Sequence, residues 1–130
     1  MPHLTVVVLE DDLVGREAEL IAGLTDAIVA VYGDWAREIA VVHLIGLPAH
    51  RWGIGGEQAK APSPSVVFGI REEAFSRSDA QEIADRLVSG VTDAVVAVFG
   101  EHVRSGVTVE LVGSPASRTA IGGVMAARMN

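Results

Sequence analysis

Residues 25–33 read Thr-Asp-Ala-Ile-Val-Ala-Val-Tyr-Gly, and residues 92–100 repeat them as Thr-Asp-Ala-Val-Val-Ala-Val-Phe-Gly. Only Ile/Val and Tyr/Phe exchanges separate the two stretches. The same offset of 67 places Gly46 on Gly113, Pro48 on Pro115, and the Ile-Gly-Gly of residues 54–56 on residues 121–123. Because the register holds to the end of both stretches, the sequence indicates a tandem duplication.

The two copies are too short to be separate domains. A unit of about 60 residues lies near the lower limit for an independent core, whereas the full length of 130 residues suits one compact domain. Residues 60–64, Lys-Ala-Pro-Ser-Pro, form a short joint rather than a disordered linker. We therefore predict a single domain over residues 1–130, with a first copy at about 2–61 and a second copy at 64–130.

The composition narrows the range of partners. A formal net charge of −7 disfavours binding to nucleic acid and to anionic membrane surfaces, so a small molecule is the expected ligand. The chain has no cysteine, which excludes disulfides, thiol nucleophiles and thiolate metal sites. No apolar run reaches 18 residues and the first residues do not resemble a signal peptide, so we expect a cytoplasmic protein.

Each copy has the pattern of a β-α-β unit. Short runs rich in β-branched residues, 4–9 and 66–70, predict strands. Helical patterns follow, and second apolar runs at 39–47 and 107–112 predict two more strands. The apolar helix positions are Leu20, Ile21, Leu24, Ala27, Ile28 and Val31, with partners Leu87, Val88, Val91, Ala94, Val95 and Val98.

The predicted fold class is α+β (or α/β), a four-stranded mixed sheet with two helices on one face. Parallel pairing within each copy follows from the right-handed β-α-β crossover. The face of the sheet without helices still presents valine, leucine and isoleucine. An uncovered apolar face on so small a chain implies a partner subunit, so we predict a homo-oligomer.

Pro2 follows the initiator methionine directly. A small second residue normally permits removal of Met1, and the proline would then carry a free secondary amine. Such an amine can act as a general base near neutral pH if apolar surroundings or nearby cations disfavour its protonated form. A proline that merely opens a strand is the alternative interpretation.

The Met-Pro start occurs together with Arg-Trp-Gly-Ile-Gly-Gly-Glu at residues 51–57. This combination resembles the tautomerase superfamily, typified by 4-oxalocrotonate tautomerase, whose short subunits run from a catalytic proline to an aromatic-Gly-Ile-Gly-Gly segment. The resemblance covers both copies and implies a fused member with the tautomerase/MIF-like fold. It also implies trimers of fused chains, no cofactor and a small carboxylate substrate.

The resemblance also suggests roles for individual residues. Pro2 matches the catalytic base and Trp52 the aromatic residue of the pocket. Arg71, at the end of a strand, matches an arginine that holds the substrate carboxylate in fused relatives, and Arg77 in a longer loop is a second candidate. His43 could polarise a substrate carbonyl, although a strand histidine is more often structural.

The chain also departs from the pattern of the family. Two arginines of 4-oxalocrotonate tautomerase align with Asp12 and Val41 in the first copy, and with Ala74 and Thr108 in the second. Pro64 aligns with Pro2, but it is internal and its nitrogen is an amide, so one active centre per chain is expected. No metal-ligand spacing is visible.

Three functions remain open at this stage. The first is a cofactor-independent tautomerase, an isomerase that uses Pro2 as its base. The second is a decarboxylase or a hydratase/dehalogenase-type lyase of the same superfamily. The third is a non-catalytic relative in which a retained Met1 acylates the proline nitrogen, or in which the amine has no use.

Overall fold

The computed structural model describes residues 2–128. The first copy contains β1 (His3–Leu9), α1 (Glu10–Leu13), α2 (Glu17–Tyr32), β2 (Val41–Leu47), β3 (Gly53–Ile54) and β4 (Glu57–Gln58). The second copy contains β5 (Ser65–Arg71), α3 (Ala80–Phe99), β6 (Thr108–Ser114), β7 (Ala120–Ile121) and β8 (Val124–Met125). Short 3-10 turns connect several of these elements.

The four long strands form one mixed sheet in the order β2-β1-β5-β6. β1 pairs with β2 in parallel, and β5 pairs with β6 in parallel. The central pair, β1 and β5, is antiparallel and joins the two copies, with His3 opposite Gly69 and Val7 opposite Ser65. The predicted fold class and the parallel pairing within each copy are confirmed.

The core lies between the sheet and the two long helices. Alternate strand residues, among them Leu4, Val6, Val66 and Phe68, point to the helices and are almost fully buried. The helices contribute Leu20, Leu24 and Ile28 from α2, and Leu87, Val91 and Val95 from α3. Two predicted core positions differ from expectation, since Ile21 and its counterpart Val88 are 41% and 37% exposed in the single chain.

The opposite face of the sheet is not covered by the described chain. Val41, Ile45, Val67 and Val112 are exposed large apolar residues on this face. They alternate with polar residues that are also exposed, His3, His43, Thr108 and Glu110. The face is therefore less uniformly apolar than the sequence suggested. Among the helices of residues 2–128, none has the length and apolar character needed to cross a membrane.

Two features of the chain differ from the sequence-based expectation. The sequence predicts a longer loop around Arg77 in the second copy than at the equivalent place in the first copy. Most of the added length instead extends the helix, since α3 has 20 residues and α2 has 16. In addition, each second strand is followed by a two-stranded hairpin, β3-β4 and β7-β8. Strands of two residues are too short to produce a hydrophobic period.

The duplicated glycines Gly46 and Gly113 make room for a glutamate side chain. Glu10 follows β1 and its carboxyl group lies against Gly46 on β2, where a β-carbon would collide with it. Glu72 follows β5 and occupies the same position against Gly113 on β6. The repeat of glycine at one offset therefore has a packing reason, and substitution of either glycine forces its glutamate to move.

Replacement of Leu24 by alanine should destabilise the protein strongly. Leu24 is fully buried between α2 and the sheet, so its loss leaves a cavity and costs about 2–5 kcal/mol. Ile21→Ala on the same helix is the matched control, and it should cost much less because its side chain is partly solvated in the chain. Urea unfolding of both variants at one protein concentration measures the difference, and equal losses would contradict the described core.

Candidate active site

The antiparallel register of β1 and β5 brings the start of one strand to the end of the other. His3 is opposite Gly69, so Pro2 lies level with Ile70 and next to Arg71. A cavity of about 430 Å³ opens at this edge of the sheet. It is lined by Pro2, Tyr32, Trp35, Ile39, Ile70, Arg71 and Ala74. The two copies thus contribute to one cavity.

Pro2 is buried and lines this cavity. Its carbonyl oxygen accepts a hydrogen bond from the backbone N–H of Val41 at 3.1 Å, which anchors the start of β1 to β2. Aliphatic and aromatic side chains, including Ile39 and Ile70, form the nearby walls. Such surroundings disfavour the charged form of an amine.

Arg71 is the only cationic side chain that lines this cavity, as far as residues 2–128 are concerned. It ends β5 and is exposed, and no carboxylate of the described chain lies within ion-pair distance of it. The neighbouring Glu72, which could have paired with it, instead lies against Gly113. The guanidinium is therefore available to a ligand.

Arg77 has a different environment. Its Nε and Nη2 donate to the two carboxylate oxygens of Asp79 at 3.0 and 3.1 Å, so the planar fork is already occupied. It borders a narrow space on the far side of Tyr32, Ile70 and Ala74, next to the Pro2 cavity and not within it.

The structure does not bring Trp52 or His43 into the Pro2 cavity of the same chain. Trp52 precedes the β3-β4 hairpin and is half-buried, and its carbonyl oxygen accepts from the N–H of Ala59 at 2.7 Å. His43 is exposed on the open face of the sheet, opposite Thr5. Pro2 is two residues from the buried Leu4, so both lie on the face of the sheet that is covered by the helices, opposite to the face of His43.

Sequence reasoning missed two aromatic residues of the cavity, Tyr32 and Trp35. Tyr32 ends α2, and Trp35 lies in the turn that follows. The signal was present in the comparison of the copies, because Tyr32 corresponds to Phe99 and Trp35 to His102. Positions at which two otherwise similar copies differ are candidates for residues that have a role in only one of them.

Burial raises the pKa of the Tyr32 hydroxyl above its usual range, and the positive charge of Arg77 partly counteracts this effect. The phenol is therefore neutral at physiological pH and can donate a hydrogen bond into the cavity. Tyr32 lies between the spaces lined by the two arginines, Arg71 on one side and Arg77 on the other.

The second copy has a counterpart of this cavity. It measures about 350 Å³ and is lined in part by Pro64, Phe99 and His102, which correspond to Pro2, Tyr32 and Trp35. Asp11, Asp12 and Arg16 also line it. The nitrogen of Pro64 is an amide because the residue is internal, so it cannot act as a base. Within residues 2–128, no group of three or more histidine, aspartate or glutamate side chains is placed to hold a metal ion.

Comparison with known proteins identifies relatives by structure. No family model and no curated protein sequence matches the chain. Among solved structures, a native fused 4-OT has 27% identity and a TM-score of 0.80 over 98% of both chains. A fused 4-OT described as a wild-type asymmetric trimer has 28% identity and a TM-score of 0.79 over 96% of both chains.

A more distant neighbour is a member of the cis-3-chloroacrylic acid dehalogenase family. It has 17% identity and a TM-score of 0.68 over 95% of this chain and 82% of its own, and at that identity it shares the fold alone. These neighbours are all tautomerase superfamily proteins. These structures confirm the predicted resemblance of the chain to the tautomerase superfamily, as a fused two-copy protein.

The environment of Tyr32 can be tested directly, because it is the only tyrosine of the sequence. Its phenolate should form at a pKa above the ordinary value of 10.0, since burial is the larger effect. Arg77→Ala should raise that pKa further by removing a charge that favours the phenolate. Ultraviolet absorbance titration measures both values, and a pKa at or below the ordinary one, or a decrease in the variant, would contradict the described environment.

Proposed function

We propose that the protein is a cofactor-independent tautomerase that moves a proton on a small enolisable carboxylate, with Pro2 as general base. The observation that carries this proposal is that Pro2 and Arg71 line the same cavity. One supplies a secondary amine once Met1 is removed, and the other supplies a cation whose fork is unoccupied in the described chain. The superfamily neighbours support an enzymatic role.

The proposed reaction needs a single base. The amine of Pro2 takes the proton of the enol hydroxyl, and the oxygen electron pair forms the carbonyl. The electrons of the carbon–carbon double bond then take the proton back from the ammonium at carbon. The sum is an isomerisation, so no oxidant, reductant or leaving group is involved. Buried, apolar surroundings favour the unprotonated amine that begins this cycle.

Arg71 holds the substrate carboxylate in this proposal. A guanidinium donates two charge-assisted hydrogen bonds in a fixed plane, which orients the carboxylate as well as binding it. Arg77 is the weaker candidate because Asp79 occupies its fork. Contributions from Trp52 and His43 remain predictions, since neither reaches the Pro2 cavity within one chain.

We further propose that the active form is a homotrimer of fused chains. Fused 4-OT neighbours are described as trimers, and the uncovered sheet face of this chain carries exposed valine and isoleucine that a subunit contact would bury. A single domain over residues 1–130 and a cytoplasmic location also remain predictions.

Loss of the proline amine should abolish most of the activity. Pro2→Ala should lower turnover of an enolised 2-oxo acid by at least ~100-fold, the usual scale for removal of a general base. A chain with one residue added before Pro2 keeps the ring and blocks the nitrogen, so it should be equally inactive. Intact mass confirms the start of each chain. Full turnover in the extended chain would exclude the proline mechanism.

Arg71→Ala should lower kcat/KM by roughly 10- to 150-fold, because a charge-assisted hydrogen bond is lost. Arg71→Lys should recover only part of this loss, since an ammonium lacks the planar fork. Arg77→Ala is the matched control and should have a much smaller effect. If Arg77→Ala is the more damaging change, the carboxylate anchor belongs to Arg77 instead.

A further inference from the structure

We propose that the Pro2 cavity is selective for a monocarboxylate that carries a planar aryl group, which packs on Trp35, and that it discriminates against dicarboxylates. This inference rests on the proposed function and adds the class of substrate. It comes from three observations: a fixed but exposed indole, a single cation in the cavity, and the altered residues of the counterpart cavity.

Trp35 is held in place although 61% of it is exposed. Its indole N–H donates to the carbonyl oxygen of Tyr32 at 2.7 Å, and the two rings meet edge to face with centroids 6.1 Å apart. Gly33 lies beneath the indole, since a β-carbon there would be 3.4 Å from Cδ1, and its φ of 108° also disfavours other residues. The indole is therefore a preformed surface for a flat apolar group.

The charge that one chain supplies to the cavity favours a ligand with one carboxylate. Arg71 is its only cation among the described residues, and the walls beyond it are Ile39, Ile70 and the aromatic rings. Arg77 and Arg37, the arginines closest in sequence to the cavity residues, are already paired with Asp79 and Asp26. A second carboxylate would lose water without gaining a cationic partner, which is unfavourable.

The second copy provides an internal comparison. The second copy, whose proline nitrogen is an amide, also differs at the two aromatic positions of the cavity. His102 replaces Trp35, and Phe99 replaces Tyr32. Asp12 lines the cavity of the second copy at the position that Ala74 occupies in the Pro2 cavity. The counterpart cavity also has one arginine, Arg16, but it has no indole and carries two aspartates. Among the described residues of these two cavities, a tryptophan and an arginine without an acidic side chain occur together only beside Pro2.

The test compares turnover of two enols, that of phenylpyruvate and a linear 2-hydroxydienedioate with a carboxylate at each end. The wild-type protein should prefer the aryl monocarboxylate by at least about tenfold in kcat/KM, since aromatic packing adds to apolar burial. Trp35→Ala and Trp35→His should lose roughly 5- to 50-fold on the aryl substrate, and Trp35→Phe much less. His102→Ala is the control and should leave turnover unchanged.

A binding measurement separates this inference from the proposed function. The indole N–H resonance of Trp35, assigned by its loss in Trp35→Phe, should shift on addition of phenylpropanoate and remain unmoved by glutarate. This readout needs no turnover, so it decides the selectivity even if Pro2→Ala shows that the tautomerase proposal is wrong. Equal or better use of the dicarboxylate overturns the inference while the tautomerase proposal stands. Tight binding of phenylpropanoate that is unaffected by Trp35→Ala also overturns it.

Discussion

The antiparallel pairing of β1 with β5 is the constraint on which the rest of the structure depends. Each copy alone is a β-α-β unit whose strands have only one partner. The central pairing joins the two sheets and places Leu4 and Val6 beside Phe68 and Val66 in one core. The same register sets Pro2, at the start of one copy, beside Arg71, at the end of a strand in the other. Stability and the candidate site therefore share one cause.

The duplication explains why the two cavities can differ so much. The paired strands have approximate two-fold symmetry, so every position at one edge of the sheet has a counterpart at the other. The proline of the second copy, Pro64, is preceded by the joint between the copies, so its nitrogen is an amide. Under the proposed mechanism, the residues around Pro64 therefore do not have to maintain a base. Asp11, Asp12 and His102 in the second cavity show the divergence that this freedom permits.

Much of the fold could be predicted from the sequence because the repeat shows each signal twice. The four long strands, both long helices and the parallel pairing within each copy follow from apolar periodicity and from the repeat. The order of the strands in the sheet is seen only in the structure. The hairpins could not be predicted, since two-residue strands carry no period. The extension of α3 could not be predicted either. The added residues can form either a helix or a loop, and the sequence alone does not distinguish the two.

The candidate site was predicted less completely. The resemblance to a family points to Pro2 and Arg71, and the structure places both in one cavity. No motif in the sequence points to Tyr32 and Trp35. Their place in the cavity wall depends on where the turn after α2 lies relative to Pro2. Trp52 was selected by its motif, yet it does not line the cavity of its own chain. Motif spacing identifies residues that recur, whereas the walls of a pocket depend on tertiary contacts.

The proposed mechanism requires that Pro2 carry a free, reactive amine in a cavity that binds a carboxylate. Reaction of the protein with a 2-oxoalkynoate tests this claim most directly, because an unprotonated amine adds to the activated triple bond and its proton moves to carbon. Peptide mapping by mass spectrometry should locate one adduct, with the full mass of the reagent, on Pro2, and phenylpropanoate should slow its formation. An unmodified Pro2, or an adduct on Lys60, the only lysine of the sequence, would contradict the account.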